Sequence, residues 1–303
     1  MRYGVPYQGS KNKIANWVVS NLPAGETLVD LFAGGCAVTH AAMLSGKWDK
    51  FVINDLSDAP KVFCDAIDGK YRDEKRWISR EDFFRLKDSD SYVSLCWSFG
   101  NNRKSYIYSK KIEPWKKALH YARVFGDTSL LREFGIESDG SRLDIKAHHD
   151  EYSAKYSAWM RINQSQYDHE TLQGLQSLER LQSLESLQSL ESLERLQRLQ
   201  RLESDYREVK IPDDAIVYAD PPYRGTCCDG YKSGFDTNAF DEWLSEVPFM
   251  VIVSEYTAPR GCVEVARIHK IPTMGTGNKG GCHEEKLFVQ ERLFDDYVRK
   301  MKF

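Results

Sequence analysis

The sequence predicts an α/β fold with a mostly parallel sheet, interrupted by an inserted, mainly helical module. Short apolar, β-branched runs alternate with helix-forming stretches near the N-terminus and again after Ala215, which is the pattern of βαβ units. Between about Tyr71 and Glu170 that alternation is lost, and charged and aromatic residues mix with several short helical patterns. The chain has 303 residues, 41% of them hydrophobic and 29% charged, enough for one large domain with an insertion or for two domains. We expect four segments: a core part over 1–70, an insertion over 71–170, a leucine repeat over 171–204, and the rest of the core over 205–303.

The first unit opens with TLVDLF (Thr27 to Phe32), a strand; AGG breaks it and CAVTHAAML continues as a helix. FVIN (Phe51 to Asn54) repeats the scheme, with Asp55 and Ser57 as turn or cap residues before a second helical stretch. After the insertion, AIVYA is a strand, DPPYRGT a loop, NAFDEWLSEV a helix and FMVIVSEY a strongly apolar strand. CVEVARIHKI and EEKLFVQER read as two further strands, paired antiparallel across the glycine-rich MGTGNKGG.

Within the insertion, Asn101 to Phe125 holds seven Lys or Arg residues and one acid, Glu113, on a chain whose net charge is −3. Arg103, Lys104, Lys110, Lys111, Lys116 and Lys117 with Tyr106 suit phosphate contacts and base stacking on a nucleic acid. An amphipathic helix around Pro114 to Arg123, with its aromatics in a core, fits the same residues equally well.

The leucine repeat has its own geometry. Eleven leucines from Leu172 to Leu202 recur every three residues, matching neither the strand period of 2 nor the helix period of 3.6. An α-helix would carry them around its whole circumference, and long 3₁₀ runs are rare. Residue propensities favour a mostly α-helical segment, with a stacked solenoid as the alternative. We expect a spacer or interaction surface, with self-association as one use.

Seven cysteines, an odd set without a CxxC pair, suggest reduced thiols rather than a disulfide framework. Cys282 beside His283, and Cys227 with Cys228, lack the spacing of a tetrahedral site, so no metal is expected. No apolar run is long enough to cross a bilayer and MRYGVPYQGSK lacks a signal-peptide centre, so the expectation is a cytoplasmic protein.

Asp220-Pro221-Pro222-Tyr223 follows the AIVYA strand, at the sheet end where ligands bind in α/β folds. Its chemistry suits an amino group on a flat base: a carboxylate and a proline-fixed carbonyl accept the two amino hydrogens, and an aromatic ring stacks on the base. A rigid turn with a packed tyrosine is the bland reading of these four residues alone. The glycine turn after VDLF admits a ligand to the backbone at a helix N-terminus. Asp55, at the end of the second strand, is placed to bind ribose hydroxyls. There is no GxGxxG and no GxxxxGK, so neither a dinucleotide nor ATP is favoured.

Taken in order, these segments resemble the Dam-like class of DNA adenine-N6 methyltransferases along nearly the full length. PYQGSK, DLFAGG, IND, SDYREV, DPPY and VSEY carry the resemblance. It implies a Rossmann-like methyltransferase sheet, S-adenosylmethionine as methyl donor and double-stranded DNA as substrate. It implies further that Tyr7, Gly9, Ser10 and Lys11 border the cofactor and the transfer pocket. Asp30, Phe32 and Gly34 would hold the cofactor's methionine part, Asp55 its ribose, and Asp205 with Tyr206 its adenine. Asp220 and Pro222 would bind the target N6, Pro221 would fix the turn, and Tyr223 would stack on a flipped-out base. The class places target recognition between IND and SDYREV, and a strand just before Asp205, so the last repeat unit, LQRLES, is expected to be extended. Many members come from phages or restriction-modification systems.

The chain departs from the class at two places. Cys36 stands where the cofactor loop usually has its second glycine, and the segment from Trp97 to Tyr108 does not match the loop of enzymes that methylate GATC. Cytosine N4 or RNA adenine is the alternative acceptor. A catalytically silent DNA-binding or assembly protein, using the leucine repeat as its interface, is the alternative from another class.

Overall fold

Seven strands form one sheet in the order β3-β2-β1-β4-β5-β7-β6. They are β1 (Thr27–Asp30), β2 (Lys50–Asn54), β3 (Leu199–Leu202), β4 (Ala215–Ala219), β5 (Val251–Glu255), β6 (Cys262–Lys270) and β7 (His283–Gln290). This computed structural model describes residues 3–134, 199–224, 235–270 and 283–302. The leucine repeat as far as Arg198, the rest of the insertion, the MGTGNKGG segment, Cys227, Cys228 and Cys282 lie outside the described residues. The chain divides into two compact units, Met1–Arg72 with Ser186–Phe303, and Asp73–Glu185.

In the first unit, strands β1 to β5 run parallel, and the order turns back beside β1, which pairs with β2 on one side and β4 on the other. The central strands are buried along their whole length, which is why they read as continuous apolar runs rather than alternating ones. Asp30 is in register with Tyr218, so the loops leaving β1 and β4 emerge side by side at the carboxyl end of the sheet. Helices α1 (Ala15–Ser20), α2 (Ala37–Ser45) and α3 (Ala59–Ile67) belong to the N-terminal half of this unit. One face of the sheet is filled by Val29, Leu31, Val217, Ala219, Val251 and Val253 with Phe240 and Leu244.

The expected strand before Asp205 is present, drawn from the last repeat unit. On a strand, leucines three apart point to opposite faces. Leu202 packs against the core just described, whereas Leu199 is half-buried on the edge strand β3. The Asn54 side chain ties this strand in, donating to the Leu31 and Ser204 carbonyls and accepting the Ser204 N–H.

The two C-terminal strands pair antiparallel as expected, and β7 also runs antiparallel to β5. Because its direction is reversed, β7 begins at the end of the sheet where β5 finishes. Glu255 lies opposite Lys286, which sets Glu285 level with the loops that follow β4 and β5.

The second unit, in its described part, is helical. Helices α4 (Arg80–Leu86) and α5 (Ser91–Cys96) are capped by Ser79 and Asp90, whose side chains accept the Asp82 and Val93 N–H groups. Helix α6 (Glu113–Phe125) stops at Gly126, whose φ of 69° ends it in the left-handed region. Two of the residues expected to touch nucleic acid are interior here. Tyr106 is buried, donates to the Ile78 carbonyl at 2.7 Å and packs against Phe83 and Trp97. Lys116 is buried, as are Trp115 and His120 on the same helix, because its position one turn before His120 carries it inward. Lys104, Lys110, Lys111 and Lys117 are exposed and Arg103 is half-buried. Among the described residues no helix is long and apolar enough to cross a membrane.

Candidate active site

The glycine turn after β1 is shaped by the chain's own N-terminal segment. The Val5 N–H donates to the Gly35 carbonyl at 2.8 Å, and Gly4 donates to His40 Nδ1 at 2.9 Å. A Cβ on Gly34 would stand 2.7 Å from the Tyr7 ring, and one on Gly35 would stand 2.5 Å from the Val5 carbonyl oxygen. These glycines therefore admit Tyr7 and Val5 to the backbone, where the sequence alone pointed to a ligand. Cys36 follows with φ 57° and ψ 30°, a left-handed conformation that costs a side chain about 1 kcal/mol or more. The departure from glycine is thus accommodated with the glycine conformation kept.

Two aspartates meet at this turn. Asp55 accepts the Gly34 N–H through Oδ2 and the Ser57 N–H through Oδ1, each at 2.8 Å. Its carboxylate therefore braces the loop. Asp30 accepts the Thr39 hydroxyl at 2.7 Å through Oδ2, while Oδ1 is buried without a partner. Burial pushes its carboxyl up to about 7, against the Thr39 bond, and the nearby charges of Asp220 and Asp55 add to the rise. An interior carboxylate oxygen left open in this way fits a cationic donor such as an ammonium group.

Beside it, Phe32 stands 5.3 Å from Tyr206 and in edge contact with Phe235 and Phe240. Tyr206 is buried in that aromatic cluster, with Trp243 at 5.0 Å. Asp205 caps the short turn Tyr206–Glu208 and pairs with Arg207 at 2.8 Å, a bond that holds its carboxyl below the usual range. Gly9 is exposed with φ 80°, and the Ser10 hydroxyl accepts the Asn12 N–H.

The loop after β4 carries Asp220, Pro221, Pro222 and Tyr223. Lys11 reaches it across 209 positions of sequence and bonds Asp220 at 2.7 Å. The same ammonium lies 3.3 Å from Glu285 and 4.5 Å from the centre of the Tyr223 ring. Tyr223 donates its hydroxyl to Glu285, and its ring meets Tyr256 edge-on at 4.5 Å. Ser254 also donates to Glu285, at 3.2 Å. The Asp220 side chain is 17% exposed and that of Lys11 6%, so of the two the carboxylate is the one that looks outward. Burial pushes the Asp220 carboxyl up against the pull of Lys11. Burial also opposes the Lys11 charge, but Asp220 and Glu285 together hold its ammonium above the ordinary range.

Lys11, Asp30, Gly34, Asp55, Asp220 and Tyr223, all expected at the site from sequence, lie together at one end of the sheet. Ser254 and Tyr256, which the sequence offered only as part of the VSEY strand, and Glu285, which it did not single out, join them there. A glutamate inside the apolar EEKLFVQ strand was the available signal, since an acid buried in a strand needs partners.

No curated protein matches the chain. The model of one family does match, over residues 7–247, a span that includes the glycine turn, the Lys11 segment and the DPPY loop. On that match, with the open sheet and a DPPY carboxylate at its switch point, the chain belongs to the D12 class of N6 adenine-specific DNA methyltransferases.

Proposed function

We propose that the chain transfers the methyl group of S-adenosylmethionine to N6 of a specific adenine in duplex DNA, by direct displacement on a flipped-out base. One observation carries the assignment. The Asp220 carboxylate stands at the end of β4, beside the turn that ends β1, held by Lys11 yet open on its outer side. A carboxylate so placed accepts a hydrogen of an exocyclic amine, the Pro222 carbonyl accepts the other, and the Tyr223 ring offers a stacking face. The nitrogen lone pair is then aimed away from the hydrogen-bonded plane.

S-adenosylmethionine supplies a methyl on a positively charged sulfur; the new C–N bond forms as the C–S bond breaks, and its electron pair stays on sulfur. Asp30 Oδ1 fits the ammonium of the methionine part, with Phe32 as apolar wall beside it, and Asp205 with Tyr206 receives the adenine. Asp55, whose oxygens already hold Gly34 and Ser57, keeps lone pairs for a ribose hydroxyl. N6 is cationic after transfer, so Asp220 needs only to orient the amine and then take the proton that departs.

Target recognition falls in this reading to the second unit, with Arg103, Lys104, Lys110, Lys111 and Lys117 touching phosphate. Incubation with unmethylated genomic DNA and labelled S-adenosylmethionine, followed by base mapping, tests the whole. Label on adenine N6 within one sequence context is expected. Absence of label would reject the proposal, and label on cytosine would replace the acceptor.

A further inference from the structure

Glu285 lies 62 positions beyond Tyr223, on a strand of opposite direction, yet its Oε1 is where the floor of the site converges. Three donors aim at this one oxygen: the Tyr223 hydroxyl, the Ser254 hydroxyl at 3.2 Å and the Lys11 ammonium at 3.3 Å. Two hydroxyl donors and an ammonium converging on one oxygen favour the ionised form of this carboxyl. The side chain is fully buried, so its charge acts at low dielectric and at short range.

We propose that Glu285 is the positioning residue for methyl transfer, fixing the Tyr223 ring and the Lys11 ammonium while keeping the site negative by one charge. The inference rests on the functional reading above. With Lys11 and Asp220 alone the pair would be neutral, and nothing would favour the positive charge that develops on N6. Adding Glu285 puts two carboxylates around one ammonium, and the surplus negative charge stands where the cation forms. The Tyr223 hydroxyl is consumed by the same oxygen, which with the edge contact to Tyr256 leaves the ring one orientation in which to stack on a base. The Glu285 charge also adds to the upward push on the Asp220 carboxyl, so removing it must shift the acid side of the reaction's pH profile.

The test uses the full chain, single-turnover transfer to adenine in duplex DNA as a function of pH, and calorimetric S-adenosylmethionine binding. Glu285→Gln should slow transfer by about 100-fold with cofactor affinity little changed, and should move the acid limb to lower pH. Glu285→Asp keeps the charge one methylene further back, so it should lose part of the rate and leave the limb where it is. A Glu285→Gln protein with near-normal rate and an unmoved limb would overturn the proposal. Should that variant fail to fold, a limb displaced in Glu285→Asp would overturn it instead. Asp220→Ala, run alongside, separates the two levels: transfer that survives it sinks the functional reading itself. Transfer lost there but untouched in Glu285→Gln sinks only the role of Glu285.

Discussion

Replacing Lys116 by methionine should make the protein more stable without changing its grip on DNA. Lys116 sits inside the second unit, 6% exposed, and burial pushes its ammonium down from the ordinary 10.5 to about 8. The gap corresponds to about 3 kcal/mol by which the fold disfavours the charged side chain. The sign follows from proton counting. Below pH 8 both folded and unfolded chains carry the proton and the full cost is present. Between 8 and 10.5 only the unfolded chain carries it, so stability rises with pH there. Methionine has a similar volume and no charge, and Lys116→Met should gain about 1–3 kcal/mol at pH 7. Urea unfolding at pH 7 and pH 10 measures this, and the gap between wild type and variant should narrow at the higher pH. A variant less stable at pH 7, or a gap that does not narrow, would refute the burial argument. A weaker salt dependence of DNA affinity in the variant would return Lys116 to the phosphate-contacting set.

Lys110→Ala with Lys111→Ala should reduce the magnitude of the log–log salt slope of DNA binding by about 2, read from affinities at several salt concentrations; an unchanged slope would make these exposed lysines bystanders. Asp220→Ala should abolish transfer and leave S-adenosylmethionine binding intact by calorimetry, since that carboxylate is assigned to the acceptor. Asp30 ionises near pH 7 in the free protein, so cofactor affinity should fall by up to about tenfold per pH unit below 7 and level off above it. Asp30→Asn should flatten that dependence, and a wild-type affinity constant from pH 6 to 8 would contradict the assignment. Because Cys36 holds a left-handed conformation, Cys36→Gly should be about 1 kcal/mol more stable than Cys36→Ala, reversing the usual helix-end order. Thermal unfolding compares the two, and an alanine variant as stable as glycine would show that no strain is relieved.

Much of the sheet was readable because its strands are marked by burial. AIVYA coincides with β4, and the paired C-terminal strands follow from two apolar runs on either side of a glycine-rich segment. The edge strand β3 was legible only through family resemblance: a period of three in the leucines hides a four-residue strand whose side chains alternate by two. The site divides in the same way. Asp220 and Asp55 announce themselves by position after a strand. The use of the turn glycines by Tyr7 and Val5 is a tertiary contact with no local signal. Tyr106 and Lys116 misled because a basic stretch states its composition but not its phase. Lys116 and Lys117 are adjacent in sequence, yet one faces inward and the other outward.

Lys11 joins Asp220 across 209 positions, and Tyr223 joins Glu285 across a further 62. The site is thus closed by residues from both ends of the chain's length. On a translating ribosome the DPPY loop emerges well before the strand that supports it. The floor of the site is therefore incomplete until β7 has paired with β5 and β6, and contacts of such long range form late. A partly synthesised chain carries the motif without the buried glutamate that anchors its tyrosine, so DNA meets the assembled site only after the sheet is complete.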